Sequence, residues 1–356
     1  MELFLNKAFR LSLFLATFLL TSCGGGGSTT EEVVSPIILP PTPTNTEPIC
    51  SNSGYARTLL CSMKRRDLDR EFYVYIPDGI EDLSSVPLLF GLHGYTSRAV
   101  WFLGYSGFQS IADTEKFIVI YPQGSILIST GQTHWNVGGW TNDSTTDDVD
   151  FISYLIDWSE DNFNINTDRV YSTGMSNGGY MSFHLACNLS HKIAAIASVT
   201  GSMTRETYNS CNPIHSTSIM QIHGDADTVV PYYGNWFSRS IPSVMEYWEE
   251  YNNCQTSSIT SLPDYNNDGD GGSFYLYDQC ITDVQAQLYL MSNMGHEWPR
   301  YNNNNDINAS QVIWNFFNFL PLSQESLLVL LSLRTLPSLR TFTLYFIDLS
   351  ENGSIF

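Results

Sequence analysis

Basic residues are scarce in this chain. Sixteen Lys and Arg stand against 36 Asp and Glu among 356 residues, giving a formal net charge of -20. A field of that sign repels nucleic acid and anionic membrane surfaces, so nucleic acid is not an expected partner and an uncharged substrate fits better. No Cys-x-x-Cys pair and no His-Glu-x-x-His run occurs. Thioredoxin-like chemistry, zinc knuckles and zinc-peptidase chemistry therefore have no support, and neither a metal nor a cofactor is expected. Long apolar runs are missing too: Leu11 to Leu20 is too short for a comfortable membrane span, and Leu327 to Leu333 is shorter still. What is present makes a core. Hydrophobic residues are 43% and aromatics 13%, which excludes wholesale disorder and suits one large domain with appendages or two small ones.

The ends are unlike the middle. Lys7 and Arg10 precede the apolar stretch, and Leu20-Thr21-Ser22-Cys23 follows it. This resembles a lipoprotein signal, with residues 1–22 cleaved and Cys23 carrying the lipid. The expected product leaves the cytoplasm, touches a membrane only through that anchor, and is otherwise secreted and monomeric. Residues 23–48 begin with four glycines and end near Pro40-Pro41-Thr42-Pro43, the composition of a flexible, then partly extended tether. Residues 49–322 read as the folded domain. Residues 323–356 have no assigned role. Beyond Cys23 six cysteines remain, an even number that implies disulfides in an exported protein. Sequence alone leaves fifteen connectivities open; pairing sequence neighbours gives Cys50–Cys61, Cys187–Cys211 and Cys254–Cys280.

Short apolar runs alternate with helical patterns in the middle. Strands are expected at residues 71–77, 86–92, 117–121, 169–173, 193–199, 218–222 and 284–290. Helices are expected at 149–163, 178–187, 242–251 and 306–320, the last capped by Asp306. This is an α/β pattern: a mostly parallel sheet covered on both faces.

The sharpest motif is Gly174-Met175-Ser176-Asn177-Gly178-Gly179. A G-x-S-x-G between a strand and a helix is a nucleophile elbow, which presents a serine hydroxyl on a strained turn before a helix N-terminus. Such a serine needs a base and an orienting acid, in the order Ser, Asp or Glu, His. His296 follows the last expected strand. Asp227, in His223-Gly224-Asp225-Ala226-Asp227, is preferred over Asp225 because it lies past the turn. His223 and Asp225 then shape that turn. Oxyanion donors are expected from the N–H groups of Asn177 and Tyr95, the latter after His93-Gly94. His93 is read as a turn-packing residue. Asp264 to Asp270 half-matches a calcium loop but has Tyr275 at the twelfth position, so it is read as an acidic turn.

At these residues the chain resembles the esterase family of poly(3-hydroxybutyrate) depolymerases and feruloyl and acetylxylan esterases. The matching stretches are Leu92-His93-Gly94, Tyr121-Pro122-Gln123-Gly124, Trp135-Asn136, Asp147 to Ile152, Val170 to Met181, His223 to Asp227, and Gly295 to Pro299. They run in family order across roughly residues 55 to 320. The resemblance implies the α/β-hydrolase fold, Ser176 as nucleophile, Asp227 as acid and His296 as base. It also implies Trp135 and Trp298 near the acyl or leaving-group pocket. Glu297 and Arg300 depart from the family's small polar residue and glycine, so the pocket rim differs. The expected function is an exported serine carboxylic-ester hydrolase acting on polymer-derived esters: feruloyl or acetyl esters of plant polysaccharide, or hydroxyalkanoate oligomers. A prolyl-oligopeptidase-like peptidase and a non-catalytic cell-surface binding protein are the alternatives.

Overall fold

The computed structural model describes residues 43–321 except 266, 268, 270, 302–304 and 319. The expected signal segment, Cys23, most of the tether and the 323–356 tail lie outside the described residues. The chain begins with β1 (Ile49–Asn52), β2 (Thr58–Arg65), β3 (Leu68–Tyr75) and β4 (Val86–Leu92). Next come α1 (Ala99–Ser106), α2 (Phe108–Glu115) and β5 (Ile118–Pro122). A small hairpin, β6 (Ser125–Leu127) with β7 (Gln132–His134), precedes α3 (Asp148–Asn162), β8 (Ile165–Met175) and α4 (Asn177–Asn188). The remainder is β9 (Ala195–Val199), α5 (Arg205–Ser210), β10 (Ser218–Gly224), α6 (Ile241–Tyr251), β11 (Thr256–Leu262), β12 (Gly272–Asp278), β13 (Ala286–Met291) and α7 (Ala309–Phe317).

Eleven strands form one sheet in the order β1-β2-β3-β5-β4-β8-β9-β10-β13-β12-β11. The six from β5 to β13 are parallel; the flanking strands add antiparallel. Every residue of β4, β5, β9 and β10 is buried, which is why these strands read as unbroken apolar runs. Period-two alternation divides them between two cores. Leu88, Phe90, Leu92, Ile118 and Ile120 face Phe151, Trp158 and Trp248 on α3 and α6. Leu89, Val119 and Tyr121 face Phe102, Phe108 and Trp314 on α1, α2 and α7. The layers are therefore helix, sheet, helix, as the apolar pattern predicts.

Three sequence expectations need adjustment. The chain docks before residue 49: Thr44 N–H bonds Asp67 Oδ1, Arg66 N–H bonds Asn45 Oδ1, and Tyr154 O–H bonds Glu47 Oε2. Short polar side chains pair with the β2–β3 turn there, which Pro-rich composition does not reveal. The last helix starts at Ala309, capped by Asn308, whose side chain accepts the Gln311 N–H; Asp306 instead accepts the Tyr265 N–H at 2.7 Å. β1, β2, α1, α2, the β6–β7 hairpin, α5 and the β11–β12 hairpin have no counterpart among the expected elements. All three neighbour-paired disulfides are formed. Cys50 and Cys61 sit opposite each other on β1 and β2, and Cys187–Cys211 joins the ends of α4 and α5. No helix among the described residues is long and apolar enough to cross a membrane.

Candidate active site

The carboxyl ends of the parallel strands share one edge, and the sequence motifs gather on it. At the end of β8, Ser176 has φ 54° and ψ -121°, a conformation a non-glycine residue holds only under constraint. Ser176 N–H bonds Val199 O at 2.9 Å, tying the turn to β9. The glycines on either side are required by contact. A Cβ on Gly178 would lie 2.1 Å from Leu92 O, and one on Gly174 2.5 Å from the Gly178 carbonyl carbon. The elbow thus sits tight against the end of β4, and α4 starts directly after it. Ser176 itself is only partly buried.

Asn177 is fully buried and its side chain is spent on structure. Its Oδ1 accepts the Trp135 N–H at 2.7 Å and its Nδ2 donates to Trp135 O at 3.2 Å. Trp135 Nε1 donates to His93 O at 2.9 Å. The His93 ring completes the brace. Its Nδ1–H donates to Gly94 O at 2.7 Å, while Nε2 accepts the Gly124 N–H at 2.9 Å. Three loops, after β4, β5 and β7, are thereby fixed against the elbow. Tyr95 follows on the first of them. Neither its N–H nor that of Asn177 has a hydrogen-bond partner among the described residues, so both donors are available.

The loop after β10 separates the two aspartates. Asp227 is buried; its Oδ1 accepts the N–H groups of Val229 and Val230, and its Oδ2 accepts His296 Nδ1–H at 2.8 Å. Burial alone would raise its pKa. The hydrogen bonds from His296 and Val230 outweigh burial and hold the carboxyl below its ordinary range. Asp225 is exposed and accepts the Asn293 N–H at 2.7 Å, clamping the segment that carries His296. His223 is buried; its Nε2–H donates to Val230 O at 2.8 Å and its Nδ1 accepts from Gln221 Nε2. Burial lowers its pKa, so it is a neutral turn-former, 3.8 Å from Asp227 Oδ2 without an ion pair. His296, with 18% of its side chain exposed, faces outward beside this loop. Ser176 and His296 share no hydrogen bond in this structure; such contacts commonly tighten only around substrate. Among the described residues no group of three or more His, Cys, Asp or Glu is placed to hold a metal.

Trp135 and Trp298 are both fully buried. Trp298 packs edge-on against Phe102 and Phe108, and its Nε1 donates to Ser310 Oγ at 3.0 Å. These rings brace the loops from behind. The aromatic ring beside Tyr95 is the half-buried Trp140, edge-on to it at 6.5 Å and packed on Tyr180 and Phe237. Its one sequence cue is the short Gly138-Gly139-Trp140 turn.

The buried His93 makes the site acid-sensitive. Burial lowers its pKa from 6.5 to about 4, so the folded protein resists protonation at a position where the unfolded chain accepts it. Stability is full above pH ~6.5 and falls as the pH drops toward 4, by up to about 3 kcal/mol from this group. His134, His184 and His223, also lowered by burial, act in the same direction. Urea unfolding from pH 7 to 4 should show this slope, and His93→Gln should flatten it; an unchanged slope would remove His93 as its source.

With this geometry in view, the chain compares with known proteins as follows. Residues 139–258 match the phospholipase/carboxylesterase family. The chain is 27% identical over 227 residues to a bifunctional acetylxylan esterase/xylanase of Neocallimastix patriciarum, covering 64% of this chain and 31% of that one. It is 26% identical over 238 residues to feruloyl esterase B of Piromyces equi, covering 64% and 42%. It is 25% identical over 285 residues to poly(3-hydroxyalkanoate) depolymerase C of Paucimonas lemoignei, covering 70% and 64%. The chain therefore spans less than two thirds of each of these relatives. Among solved structures, an acetyl xylan esterase from Aspergillus awamori superposes with a TM-score of 0.52 at 14% identity, over 70% of this chain and 94% of that one. The fold is the α/β-hydrolase fold, and the resemblance drawn from the motifs is to the same group of proteins.

Proposed function

We propose that this chain is an exported serine carboxylic-ester hydrolase that works through an acyl-enzyme. The observation that carries the reading is the buried Asp227 Oδ2 accepting His296 Nδ1–H at 2.8 Å, on the sheet edge where the strained elbow exposes Ser176. With Nδ1–H committed to Asp227, His296 keeps Nε2 as the free acceptor. Ser176 Oγ attacks the ester carbonyl and its proton passes to Nε2. Asp227 orients the imidazole and stabilises its cationic form. The N–H groups of Asn177 and Tyr95 receive the oxyanion. His296 then returns the proton to the departing alcohol, and water repeats the sequence on the acyl-enzyme to release the acid. Trp140 forms the aromatic wall beside the reacting carbonyl.

The names of the relatives supply the candidate substrates: acetyl and feruloyl esters of plant polysaccharide, or hydroxyalkanoate oligomers. The three disulfides accord with an oxidising compartment, and Cys23 is the proposed lipid anchor. The protein acts as a monomer and needs no cofactor. A fluorophosphonate probe should attach to Ser176, read by peptide mass. Turnover of acetylated xylan, methyl ferulate, hydroxybutyrate oligomers and a peptide amide then identifies the acyl group. Labelling elsewhere, or hydrolysis of the amide alone, would defeat the proposal.

A further inference from the structure

The loop leaving Asp227 runs to α6 and, with Arg205 on α5, borders an open cleft of about 420 Å³. Its charge is opposite to that of the chain. The protein carries a net charge of -20, yet among the described residues this cleft is lined by Arg205 and Arg239 and by no Asp or Glu. Arg65 and Arg70 are paired with Asp150 and Asp148, which is how partly or fully buried arginines are normally neutralised. Arg239 has no such partner among the described residues. It is half-buried, and its guanidinium stacks on the Tyr208 ring at 4.0 Å.

Arg205 is held in place. Its Nε donates to Trp236 O and its Nη2 to Asn235 O, each at 2.9 Å. Two of its five N–H donors are therefore spent on fixing the guanidinium plane, and the rest stay available. A fixed guanidinium beside an unpartnered one suits a carboxylate. At the start of α6, Ser240 caps the helix by accepting the Ser243 N–H and donates its own proton to Ser243 Oγ, which leaves the Ser243 O–H as a donor at a positive helix end. The rim is aromatic: Tyr233 is 84% and Trp236 75% exposed, planar faces of the sort on which a sugar ring stacks. The segment that lines the cleft also packs toward Tyr95 and α4. Trp140 touches both Tyr95 and Phe237, and Ser238 Oγ is 2.7 Å from the hydroxyl of Tyr180 on α4.

We propose that this cleft binds the carboxylate of an acidic sugar unit carried on the alcohol side of the ester, so that the enzyme prefers esters on uronate-bearing polysaccharide. This rests on the ester-hydrolase reading above. It also answers a difficulty, since the chain's overall field repels an anionic polymer. Beyond a Debye length of roughly 8 Å that field is screened, and at short range the two arginines dominate.

Two measurements test it. The first is calorimetric titration of full-length Ser176→Ala protein with glucuronic acid, glucose and inorganic phosphate. Glucuronic acid should bind, glucose should not, and added salt should weaken the binding. Failure to bind glucuronic acid, or equal binding of phosphate, overturns the proposal without any change to the arginines. The second compares acetylated xylo-oligosaccharides with and without a glucuronic acid branch. Arg239→Gln should lower the ratio of the two kcat/KM values about tenfold, mainly through KM for the branched substrate; an unchanged ratio overturns it. Should the chain hydrolyse no ester at all, the titration still decides the cleft on its own.

Discussion

Ser176→Ala, His296→Ala and the double variant should all hydrolyse p-nitrophenyl acetate about 10⁴- to 10⁶-fold more slowly than the wild type, with the double variant scarcely worse than the slower single. The near-equality matters more than the size. A hydroxyl without its base is a poor nucleophile, and a base without its hydroxyl has nothing to activate, so losing either loses the same step. Asp227→Asn should cost roughly 10⁴-fold, because the amide no longer fixes the Nδ1–H tautomer of His296. Asp225→Asn is the internal control. Its carboxylate accepts the Asn293 N–H rather than touching His296, so its rate should stay far above that of Asp227→Asn. Ser176→Ala keeps Cβ and the backbone of the elbow and should melt near the wild-type temperature. Additive losses, or more than a trace of turnover in Ser176→Ala, would mean that the reaction runs elsewhere.

The same residues explain what was readable in the sequence. Val86–Leu92 has the same bounds in sequence and structure because helices cover both faces of β4, leaving no polar position to blur its ends. Thr256–Leu262 has no signal in the sequence because β11 is an exposed edge strand with five Ser and Thr among its seven residues and no buried face to impose alternation. The G-x-S-x-G motif locates the elbow since its glycines answer to backbone contacts that admit no side chain. The choice between Asp225 and Asp227 rests on how the chain turns after Gly224. Asp227 makes that turn itself, by accepting the Val229 and Val230 N–H groups, and this leaves Oδ2 for the histidine. For Trp298 the resemblance implies a place near the pocket, and the structure shows a fully buried ring. Trp298 lies two residues from His296, yet its ring turns into the layer of α1, α2 and α7. Trp140 sits in a single 3₁₀ turn, Gly139–Thr141, too short to leave a periodic pattern, so beyond the glycine pair before it only its three-dimensional neighbours bring it forward.

The largest stability effect is expected at Asp148, which bonds to none of Ser176, Asp227 and His296. Its Oδ1 accepts Arg70 Nη2, and the two side chains are 0% and 2% exposed. Its Oδ2 accepts the Asn136 N–H at 2.8 Å, next to the Trp135 that Asn177 holds. Arg70 has no other hydrogen-bond partner for Nε or Nη1; its guanidinium lies over the Phe151 ring at 3.9 Å. Asp148→Ala strands that charge in the core and should cost about 3–5 kcal/mol, measured as a lower urea midpoint at unchanged slope. Removing the charge as well should recover part of the loss. Arg70→Met combined with Asp148→Asn leaves no buried ion, keeps an acceptor for the Asn136 N–H, and should be more stable than Asp148→Ala alone. If the double variant is instead the less stable of the two, the stranded Arg70 charge is not the source of the loss in Asp148→Ala. Activity should follow a different order. Any variant that frees Asn136 loosens the Trp135 brace on the elbow, so Asp148→Ala should lose kcat even at temperatures where it remains folded, whereas the double variant should keep most of it.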